Sequence, residues 1–374
     1  MEVADAFGPE YVVRVKDVAL GMEGFLVIHN TALGPGKGGI RMAASVTEEE
    51  VRRLARAMTW KNSLAGLPFG GAKSGIVWPG GDDEKKRAFL QSFARAIKMF
   101  TPKKYIGAPD VNTGEREMAW FVGATGNWRS ATGKPANLCM ASFGEKGEKC
   151  GIPHEFGSTG FGVAHAAKVA AELVGIPLKG ATVAIHGFGN VGTFTYQFLT
   201  EMGARVVALA DVYGAVHAKN GFPKDAVMRV IKNRTPLTRA FAKHAIAPEK
   251  FWSVPVDILI PASVTDVIHA GNKNDIQTKI IIEAGNIPMR EPIENDLWKK
   301  GIMIVPDFVA NAGGVISSYA EYRGYNPKRM FELVERKITE ATSTVMKESI
   351  KSRRNPRRVA LEIAQQRVEN AMKK

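Results

Sequence analysis

Residues 181–192 read Ala-Thr-Val-Ala-Ile-His-Gly-Phe-Gly-Asn-Val-Gly, and this stretch decides the fold of the middle of the chain. Its first half is short and apolar, as in a buried strand, and its second half carries three spaced glycines. Gly187 permits a tight turn, Gly189 lets backbone approach a pyrophosphate, and Gly192 lets the next helix pack closely on the strand. The helix amino terminus would face the phosphates with its positive end. The stretch therefore predicts a strand–turn–helix unit that binds a dinucleotide.

The sequence around this unit alternates between helix and strand patterns. An Ala-rich helix is predicted from Thr159 to Val174, and the strand at Arg205 to Ala210 is closed by Asp211. An acid at that strand end is expected to hydrogen-bond the adenine ribose, which favours NAD over NADP. A neighbouring basic residue or loop can still accept a phosphate, so NADP stays open. Further strands are predicted at residues 257–260, 279–283 and 302–305.

The length of 374 residues, with 45% hydrophobic residues, indicates two packed domains of the α/β class. We expect an N-terminal α/β domain for substrate binding and oligomerisation over residues 1–151. A Rossmann-like, doubly wound dinucleotide-binding domain should follow over residues 152–308. Helices fill residues 309–374, and we expect them to pack back onto the first domain. No separate core is predicted for them.

The composition indicates the cellular location of the protein. Acidic Glu2 and Asp5 stand where a secretory signal would be basic, and no apolar run is long enough for a membrane helix. Two cysteines make no disulfide framework, so a cytoplasmic protein with reduced thiols is expected. The net charge of +14 is spread along the chain, apart from a dense basic run at residues 351–358. We interpret this charge as that of a solvated surface. Nucleic-acid binding is therefore a minor alternative, and attraction of anionic substrates is a milder use of the charge.

The N-terminal region carries lysines in unusual surroundings. Thr47 and Glu50 match a helix capping box, and the following helix should run from about Glu48 to Ala65. Lys61 continues the apolar stripe of that helix, where its ammonium group either meets an anion or escapes to water.

Two more lysines lie in glycine-rich segments, Lys37 in a loop at residues 34–39 and Lys73 at the mouth of a turn at residues 67–75. Asp110 follows a predicted strand that ends at Pro109. Ammonium groups gathered in a partly dry cleft disfavour their charged forms, so one lysine can act as a base near neutral pH. Lys37, Lys61, Lys73 and Asp110 therefore predict an anion site with a lysine base. His186 is interpreted as a core residue.

Cys139, Cys150 and His154 lie near one another in the sequence and suggest zinc ligands at first sight. Their spacing is not that of a zinc finger, and a fourth ligand is not evident. We expect no metal here, and we interpret this segment as an ordered loop with reduced cysteines.

At these residues the sequence resembles the glutamate, leucine, phenylalanine and valine dehydrogenase family, and it is most similar to its glutamate-specific members. The resemblance spans nearly the whole chain. It rests on Gly34-Pro-Gly-Lys-Gly-Gly-Ile-Arg41, Met58-Thr-Trp-Lys61, Pro68-Phe-Gly-Gly-Ala-Lys73, Ala108-Pro-Asp110, Thr132-Gly-Lys-Pro135, Gly157-Ser-Thr-Gly160, Gly187 to Gly192 and Asn311-Ala-Gly-Gly-Val315.

The resemblance implies roles for residues of this chain. Lys73 would be catalytic, with Asp110 as its proton-transfer partner, and Lys61 would hold the substrate 1-carboxylate. Lys37 and Ser318 match the pattern of the glutamate-specific members, and Asn311 would line the substrate and nicotinamide side. The remaining cofactor-binding positions are Thr159, Gly187, Gly189, Asn190, Val191, Gly192, Asp211 and Asn286.

The expected reaction is the reversible oxidative deamination of L-glutamate to 2-oxoglutarate and ammonia with NAD or NADP. The same reaction on leucine, valine or phenylalanine is the nearest alternative. A non-catalytic relative that binds nucleotide or nucleic acid is an alternative of another class. We further expect a homo-oligomer, with a hexamer as its form and no membrane association.

Overall fold

The computed structural model describes residues 5–140, 149–153 and 156–374, and this part of the chain forms two compact units. Unit 1 comprises residues 1–156, 315–333 and 361–374, and unit 2 comprises residues 157–314 and 334–360. Both units combine a β-sheet with helices, so the predicted α/β class is confirmed. The predicted doubly wound sheet lies in unit 2.

Unit 1 contains a mixed six-stranded sheet in the order β1-β2-β5-β3-β6, with β4 paired to β5. The strands β1 and β2 form a hairpin, β2 pairs antiparallel with β5, and β3, β4 and β6 run parallel to their neighbours. Their bounds are β1 Tyr11–Asp17, β2 Met22–Asn30, β3 Gly36–Lys37, β4 Ile40–Ala43, β5 Gly70–Val77 and β6 Tyr105–Ile106.

Three helices accompany this sheet: α1 Glu48–Leu64, α2 Asp83–Ala96 and α3 Glu115–Thr125. The predicted start of α1 is confirmed, since the Thr47 hydroxyl accepts the Glu50 N–H at 3.1 Å. The Glu50 side chain pairs with Arg41. The apolar faces of α2 and α3 and of the sheet form one core that includes Leu26, Phe93 and Phe121.

The strand β5 differs from the prediction of a glycine-rich turn. Its glycines lie in a buried, continuous strand, because helix α1 packs on it too closely for side chains. A Cβ atom on Gly71 would lie 2.1 Å from the Thr59 hydroxyl, and one on Gly75 would lie 2.7 Å from a methyl group of Val51. Lys73 is consequently held in the middle of a strand, opposite Val27 of β2.

Unit 2 contains a seven-stranded sheet in the order β10-β9-β8-β7-β11-β12-β13. The five strands from β8 to β13 in this order are parallel, and β9 and β10 extend one edge in antiparallel fashion. The bounds are β7 Thr182–His186, β8 Arg205–Asp211, β9 Gly214–His217, β10 Ala245–Ile246, β11 Val256–Pro261, β12 Thr278–Ile282 and β13 Met303–Val305. The chain reverses its direction of strand addition between β7 and β11, and such a switch point forms a ligand crevice in doubly wound folds.

The helices of unit 2 connect these strands and cover the sheet. They are α4 Ser158–Leu173, α5 Asn190–Glu201, α6 Lys224–Asn233, α7 Leu237–Ala240, α8 Glu291–Lys299 and α9 Asp307–Ala310. The β-branched runs of β11, β12 and β13 are buried, as in parallel sheets that are covered by helices.

The chain ends in three helices, as predicted. They are α10 Gly313–Arg323, α11 Pro327–Ser352 and α12 Pro356–Met372. Residues 315–333 and 361–374 belong to unit 1, whereas residues 313–314 and 334–360 belong to unit 2. Among the helices of the described residues, none is long and apolar enough to cross a membrane.

Candidate functional site

Lys73 and Asp110 form an ion pair through Lys73 Nζ and Asp110 Oδ2. Lys73 is 7% exposed and the Asp110 side chain is 17% exposed, so both groups are largely buried. Gly39 permits this approach, because a Cβ atom there would lie 2.7 Å from the Cβ of Asp110. Thr113 orders the loop, since its hydroxyl accepts the Asp110 N–H at 2.9 Å and donates to the Ile40 carbonyl at 2.7 Å. Two residues from separate glycine-rich segments are thus brought into direct contact.

Burial changes the proton affinity of both groups. Burial lowers the pKa of the Lys73 amine, while the charge and hydrogen bond of Asp110 oppose that shift. Burial alone would raise the pKa of the Asp110 carboxyl, but the charge and hydrogen bond of Lys73, the charge of Arg41 and a backbone hydrogen bond together lower it. The lowered pKa of Lys73 follows from loss of hydration, which penalises an ammonium ion in a dry site. A lysine with a lowered pKa is suited to accept a proton.

Arg41 is a member of this site that the sequence analysis did not single out. Its Nε lies 3.5 Å from Asp110 Oδ2, and its guanidinium also pairs with Glu50. The Arg41 charge contributes to the lowered pKa of Lys73, whereas the prediction assigned that effect to other lysines. Burial is the largest cause of the lowered pKa of Lys73, and Arg41 is the cation that adds to it. The prediction was therefore wrong about which cation contributes. Arg41 is the last residue of the segment Gly34 to Arg41, on which the family resemblance rests.

Lys37 lies in the short strand β3 and is only 1% exposed. Its ammonium group donates to the Gly107 carbonyl at 2.8 Å. Within the predicted glycine loop, Gly36 and Lys37 form the buried strand β3, and a Cβ on the following Gly38 would meet the Ala72 carbonyl oxygen at 1.7 Å. Burial lowers the pKa of Lys37 well below its ordinary value, with Glu321 opposing the shift and Lys134 and Lys73 adding to it.

Lys134 and Glu321 form a fully buried ion pair with an Nζ to Oε1 distance of 2.5 Å. Lys134 also lies over the Trp128 ring, 3.7 Å from its centroid. The second Glu321 oxygen accepts backbone N–H groups from Gly133 at 2.7 Å and Ile152 at 3.0 Å. This pair was missed because its members are far apart in the sequence, although Lys134 stood in a quoted motif.

Two further predicted substrate residues lie in unit 1. Lys61 is half-buried in the last turn of α1, so the predicted helical position is confirmed. Ser318 is buried in helix α10, with 5% of its surface exposed. Their contacts with a substrate stay predictions.

The glycine fingerprint of unit 2 has the predicted strand–turn–helix form. Gly187 follows β7 with a φ angle of +101°, which strongly favours glycine. A Cβ on Gly192 would lie 1.9 Å from the Gly187 carbonyl oxygen, so close packing of α5 on the turn requires glycine there. Gly189 differs from both, because its φ is −86° and a Cβ would have no protein atom within 4 Å. The protein itself does not require glycine at 189, and the open space in front of it suits a ligand.

The first turn of α4 packs against the first turn of α5. A Cβ on Gly160 would lie 2.9 Å from the Val191 carbonyl oxygen and 2.7 Å from the Thr195 nitrogen. Thr159 is the neighbour of Gly160 and is half-buried. The structure therefore brings the Thr159 region close to Asn190 and Val191 in the fingerprint helix.

Asp211 is the last residue of β8, as predicted, but its carboxylate already has protein partners. One oxygen accepts the Tyr213 N–H and the other accepts the Leu237 N–H, each at 2.8 Å. Asp211 therefore orders the loop after β8 and the start of α7. Each carboxylate oxygen keeps a further acceptor site, so a ribose hydroxyl can still bind.

Asn286 and Asn311 are brought together in unit 2. The Asn311 side-chain amide donates to Asn286 Oδ1 at 3.0 Å and to the carbonyls of Ala284 and Gly285 at 3.3 Å. Asn311 Oδ1 is buried and has no hydrogen-bond partner among the described residues. An unpaired buried acceptor is costly, which suits a position that meets a ligand donor.

His186, directly before the fingerprint, belongs to the core of this region. Its ring stacks on Trp252 with centroids 4.6 Å apart, and it shares a hydrogen bond with the Ser263 hydroxyl at 2.8 Å. Burial lowers its pKa to about 4, so the imidazole is neutral at physiological pH. This agrees with the interpretation of His186 as a packed residue.

Two family models match the chain. Residues 9–127 match "Glu/Leu/Phe/Val dehydrogenase, dimerisation domain", and residues 150–374 match "Glutamate/Leucine/Phenylalanine/Valine dehydrogenase". The chain belongs to the Glu/Leu/Phe/Val dehydrogenase family. The resemblance stated from its motifs is thereby confirmed.

Relatives of this dehydrogenase are similar over most of its length. The NADP-specific glutamate dehydrogenase of Saccharolobus shibatae is 37% identical over 335 residues, covering 84% of this chain and 75% of that protein. The NAD-specific glutamate dehydrogenase of Staphylococcus aureus is 34% identical over 341 residues, covering 86% and 78%. The crystal structure of hetero-hexameric glutamate dehydrogenase from Thermus thermophilus, in a leucine-bound form, has a TM-score of 0.82 at 25% identity. It covers 97% of this chain and 89% of that chain.

The nicotinamide dinucleotide that this dehydrogenase family uses fits the residues of unit 2. The open space at Gly189 accommodates a pyrophosphate at the amino terminus of α5. The unpaired Asn311 Oδ1 supplies an acceptor for an amide donor, as a nicotinamide carboxamide would be.

The cysteines of this dehydrogenase contradict the prediction of reduced thiols. Cys139 and Cys150 form a disulfide, with their Cα atoms 4.1 Å apart. The chain doubles back here, since Met140 and Lys149 are joined by a backbone hydrogen bond of 2.9 Å. Both sulfur atoms are used in the disulfide, so a zinc site with these thiolates is ruled out. His154 lies outside the described residues, within which no group of metal-ligand side chains gathers.

Proposed function

We propose that the protein is a glutamate dehydrogenase, which converts L-glutamate and water to 2-oxoglutarate and ammonia with NAD(P) and also catalyses the reverse reaction. Membership of the family and the named glutamate dehydrogenases at 34% and 37% identity support this assignment. The observation that carries it is the buried Lys73–Asp110 ion pair beside a second buried lysine, Lys37. These groups provide a base and a cation for an acidic substrate.

In this proposal, a nicotinamide held by unit 2 would supply the hydride acceptor for the oxidation of the amino acid to its imine. Lys73, in its neutral form, takes a proton from the water that attacks the resulting imine carbon. Asp110 receives and returns protons through its contact with Lys73, and ammonia leaves as the 2-oxo acid forms. Arg41 and Thr113 hold Asp110 in place during these transfers.

Lys37 and Lys61 are proposed to hold the two carboxylates of the substrate, with Ser318 beside the side-chain carboxylate. Lys37 suits this role because burial lowers its pKa, and an arriving carboxylate would favour its charged form. Glutamate binding should then raise the pKa of Lys37. An apolar side chain gains nothing from a charged Lys37, which favours glutamate over leucine, valine or phenylalanine.

The cofactor is assigned to unit 2. Gly187, Gly189 and Gly192 shape the turn for the pyrophosphate, and Asn190, Val191 and Thr159 line its approach. Asn286 and Asn311 are proposed to meet the nicotinamide side.

Both NAD and NADP occur in the relatives named above, and Asp211 favours NAD in this chain. A carboxylate accepts ribose hydroxyls and repels a 2′-phosphate. Comparison of kcat/KM with the two cofactors tests this choice, and a strong preference for NADP would overturn it.

The functional division of the chain is part of the proposal. Residues 1–151 would bind substrate and assemble the oligomer, residues 152–308 would bind the dinucleotide, and residues 309–374 would link the two functions. We propose a homo-oligomer, with a hexamer as the expected form, because the N-terminal family model describes a dimerisation domain and a structural relative is hexameric.

A cytoplasmic location is proposed, as the sequence predicts. Disulfides are rare in the cytosol of mesophiles but persist in intracellular proteins of hyperthermophiles. Titration of free thiols in cell extract, with and without a reductant, reveals whether Cys139 and Cys150 are paired there.

The deciding experiment is a panel of amino acids with NAD and with NADP. The proposal predicts the highest kcat/KM for L-glutamate, with ammonia released in proportion to reduced cofactor. Turnover of leucine, valine or phenylalanine in preference to glutamate would favour the nearest alternative. Salt-sensitive binding of DNA or RNA without any turnover would favour a binding protein.

A further inference from the structure

Arg357 lies in the dense basic run that the sequence analysis interpreted as surface charge. Its side chain is instead only 17% exposed and contacts three carboxylates of unit 2. Its guanidinium lies 2.5 Å from Glu283, 2.5 Å from Glu294 and 3.0 Å from Asp307. Glu283 and Glu294 are fully buried. One arginine therefore joins the end of β12, helix α8 and the start of α9 at a single point.

Two of these carboxylates hold the backbone that carries Asn286 and Asn311. Glu283 Oε2 accepts the Asp307 N–H at 2.8 Å, and Asp307 Oδ2 accepts the Ile287 N–H at 2.9 Å. The Asp307 carbonyl accepts the Asn311 N–H at 2.8 Å. Residues 283–287 and 307–311 are thus tied to each other, and Arg357 binds the acids at the base of both segments.

The cluster carries more negative than positive groups. Three carboxylates face one guanidinium, and Glu283 Oε1 and Glu294 Oε1 are buried without hydrogen-bond partners among the described residues. Burial raises the pKa of Glu283 well above its ordinary value, and Asp307 and Glu294 add to the shift while Arg357 opposes it. Burial likewise raises the pKa of Glu294, with Arg357 opposing and Asp307 adding.

We propose that Arg357 is a positioning residue for the cofactor: it holds Glu283 and Asp307, and through them it sets the placement of the Asn286–Asn311 pair. This inference rests on the assignment of those asparagines to the nicotinamide side. Because carboxylates exceed cations, the cluster keeps its geometry best while one carboxyl retains a proton. A group whose pKa is raised by folding stabilises the fold at low pH, and that contribution is lost as pH rises through its folded pKa. The positioning should therefore weaken as the pH rises.

The first test compares Arg357→Lys with Arg358→Lys in the full-length protein. Lysine keeps one charge but cannot make the planar contacts of a guanidinium with several carboxylates. Arg358 is the exposed neighbour on the same helix, and its guanidinium pairs with Glu291 at 3.2 Å. Since a misplacement of about 1 Å can cost on the order of 100-fold in rate, we expect Arg357→Lys to lower kcat by about 10- to 100-fold. Cofactor affinity, measured by calorimetry without substrate, should fall as well, whereas Arg358→Lys should match the wild type.

A merely structural role gives a different result. Arg357→Lys would then lower the temperature of unfolding, while the folded protein kept the kcat and cofactor affinity of Arg358→Lys. That outcome would overturn the proposal.

The second test uses Glu294→Gln, which removes one excess carboxylate and keeps its shape. The dissociation constant of NAD is measured by calorimetry from acidic to alkaline pH. Because Glu294 adds to the raised pKa of Glu283, we expect cofactor affinity in the wild type to weaken as the pH rises, and this weakening to be smaller in Glu294→Gln. Identical pH profiles for the two proteins would contradict the excess-carboxylate account and with it the proposal.

Failure of this inference and failure of the proposed function are separable. If the wild type oxidises no amino acid, the proposed function fails, while the calorimetric comparison still tests Arg357. If the wild type oxidises glutamate and Arg357→Lys equals Arg358→Lys in kcat and affinity, the inference alone fails.

Discussion

Two buried ion clusters in this molecule have opposite charge balances. In unit 1, Lys37, Lys73, Lys134 and Arg41 face Asp110, Glu321 and Glu50. In unit 2, Arg357 alone faces three carboxylates. Burial lowers the pKa of Lys37 and Lys73 in the first cluster and raises the pKa of Glu283 and Glu294 in the second. The same loss of hydration thus favours a neutral amine in one unit and a protonated carboxyl in the other.

The two charge balances correspond to two roles, proton transfer in the first cluster and support of the backbone in the second. A neutral amine in contact with a carboxylate can exchange protons with a substrate, and the first cluster includes the pair assigned to catalysis. The second cluster consists of groups that hold the backbone, and burial there favours a protonated carboxyl, which reduces the excess of negative charge. The first cluster should therefore control rate and substrate choice, and the second should control how the cofactor is held.

The largest expected effect comes from breaking the Lys73–Asp110 pair. Lys73→Ala or Asp110→Asn should fold and bind cofactor, yet lose about 10²- to 10⁴-fold in kcat, the usual range for removal of a general acid–base group. Stopped-time assays of the purified variants and calorimetry with cofactor measure both properties. Lys16→Ala, which removes an exposed lysine from strand β1 of the same sheet, is the matched control. Full activity in either pair variant would overturn the mechanism.

The next effect concerns substrate choice and Lys37. Leucine is close to lysine in shape and suits the buried site, so Lys37→Leu should fold. Loss of one partner from a buried charge pair typically costs about 2 to 5 kcal/mol, or at least about 30-fold in kcat/KM for glutamate. Activity on norvaline or leucine should stay or improve, and adding Ser318→Val should strengthen this change. An equal, small change for glutamate and leucine would remove the main support for glutamate.

A smaller effect is expected at the cofactor turn of unit 2. Gly189→Val should leave the fold intact, because its Cβ meets no protein atom, but should weaken cofactor binding. Overpacking a close contact typically costs about 1 to 3 kcal/mol, or up to about 100-fold in affinity. Gly123→Val in helix α3, another glycine with open space around its Cβ, is the control and should bind normally. Unchanged affinity in Gly189→Val would refute the placement of the pyrophosphate.

The smallest effect tests the electrostatics around Lys73. Because the base must be unprotonated, the rate of the wild type should rise from neutral to mildly alkaline pH. Arg41→Gln removes a charge that lowers the pKa of Lys73, so the rise should move to higher pH. Arg52→Gln, which loses only an exposed pair with Glu48, should keep the profile of the wild type. A flat profile while chemistry limits the rate would contradict the assignment.

Local signals in the sequence predicted much of this structure. The cap at Thr47 and the stripe of α1 placed Lys61 correctly, and the fingerprint predicted β7, Gly187 to Gly192 and α5. These features depend on residues within a few positions of one another, where spacing and backbone preference carry the information.

Features set by distant contacts were missed. The glycines of β5 looked like a turn because the close packing of α1, which requires them, is not visible in local spacing. Cys139 and Cys150 were predicted to be reduced, since pairing depends on a chain reversal that brings their Cα atoms together. Arg357 looked like surface charge because its three partners lie more than forty residues away in the sequence.

The central claim is that burial makes Lys73 a base that works near neutral pH, and the most direct test is a titration of its side chain. NMR of protein with labelled lysine, with the Lys73 signal assigned by its loss in Lys73→Arg, follows that amine in the presence of cofactor. The account predicts a pKa for Lys73 below the ordinary lysine value, and a rise of this pKa in Arg41→Gln. A Lys73 that titrates at or above the ordinary lysine value of 10.5 would contradict it.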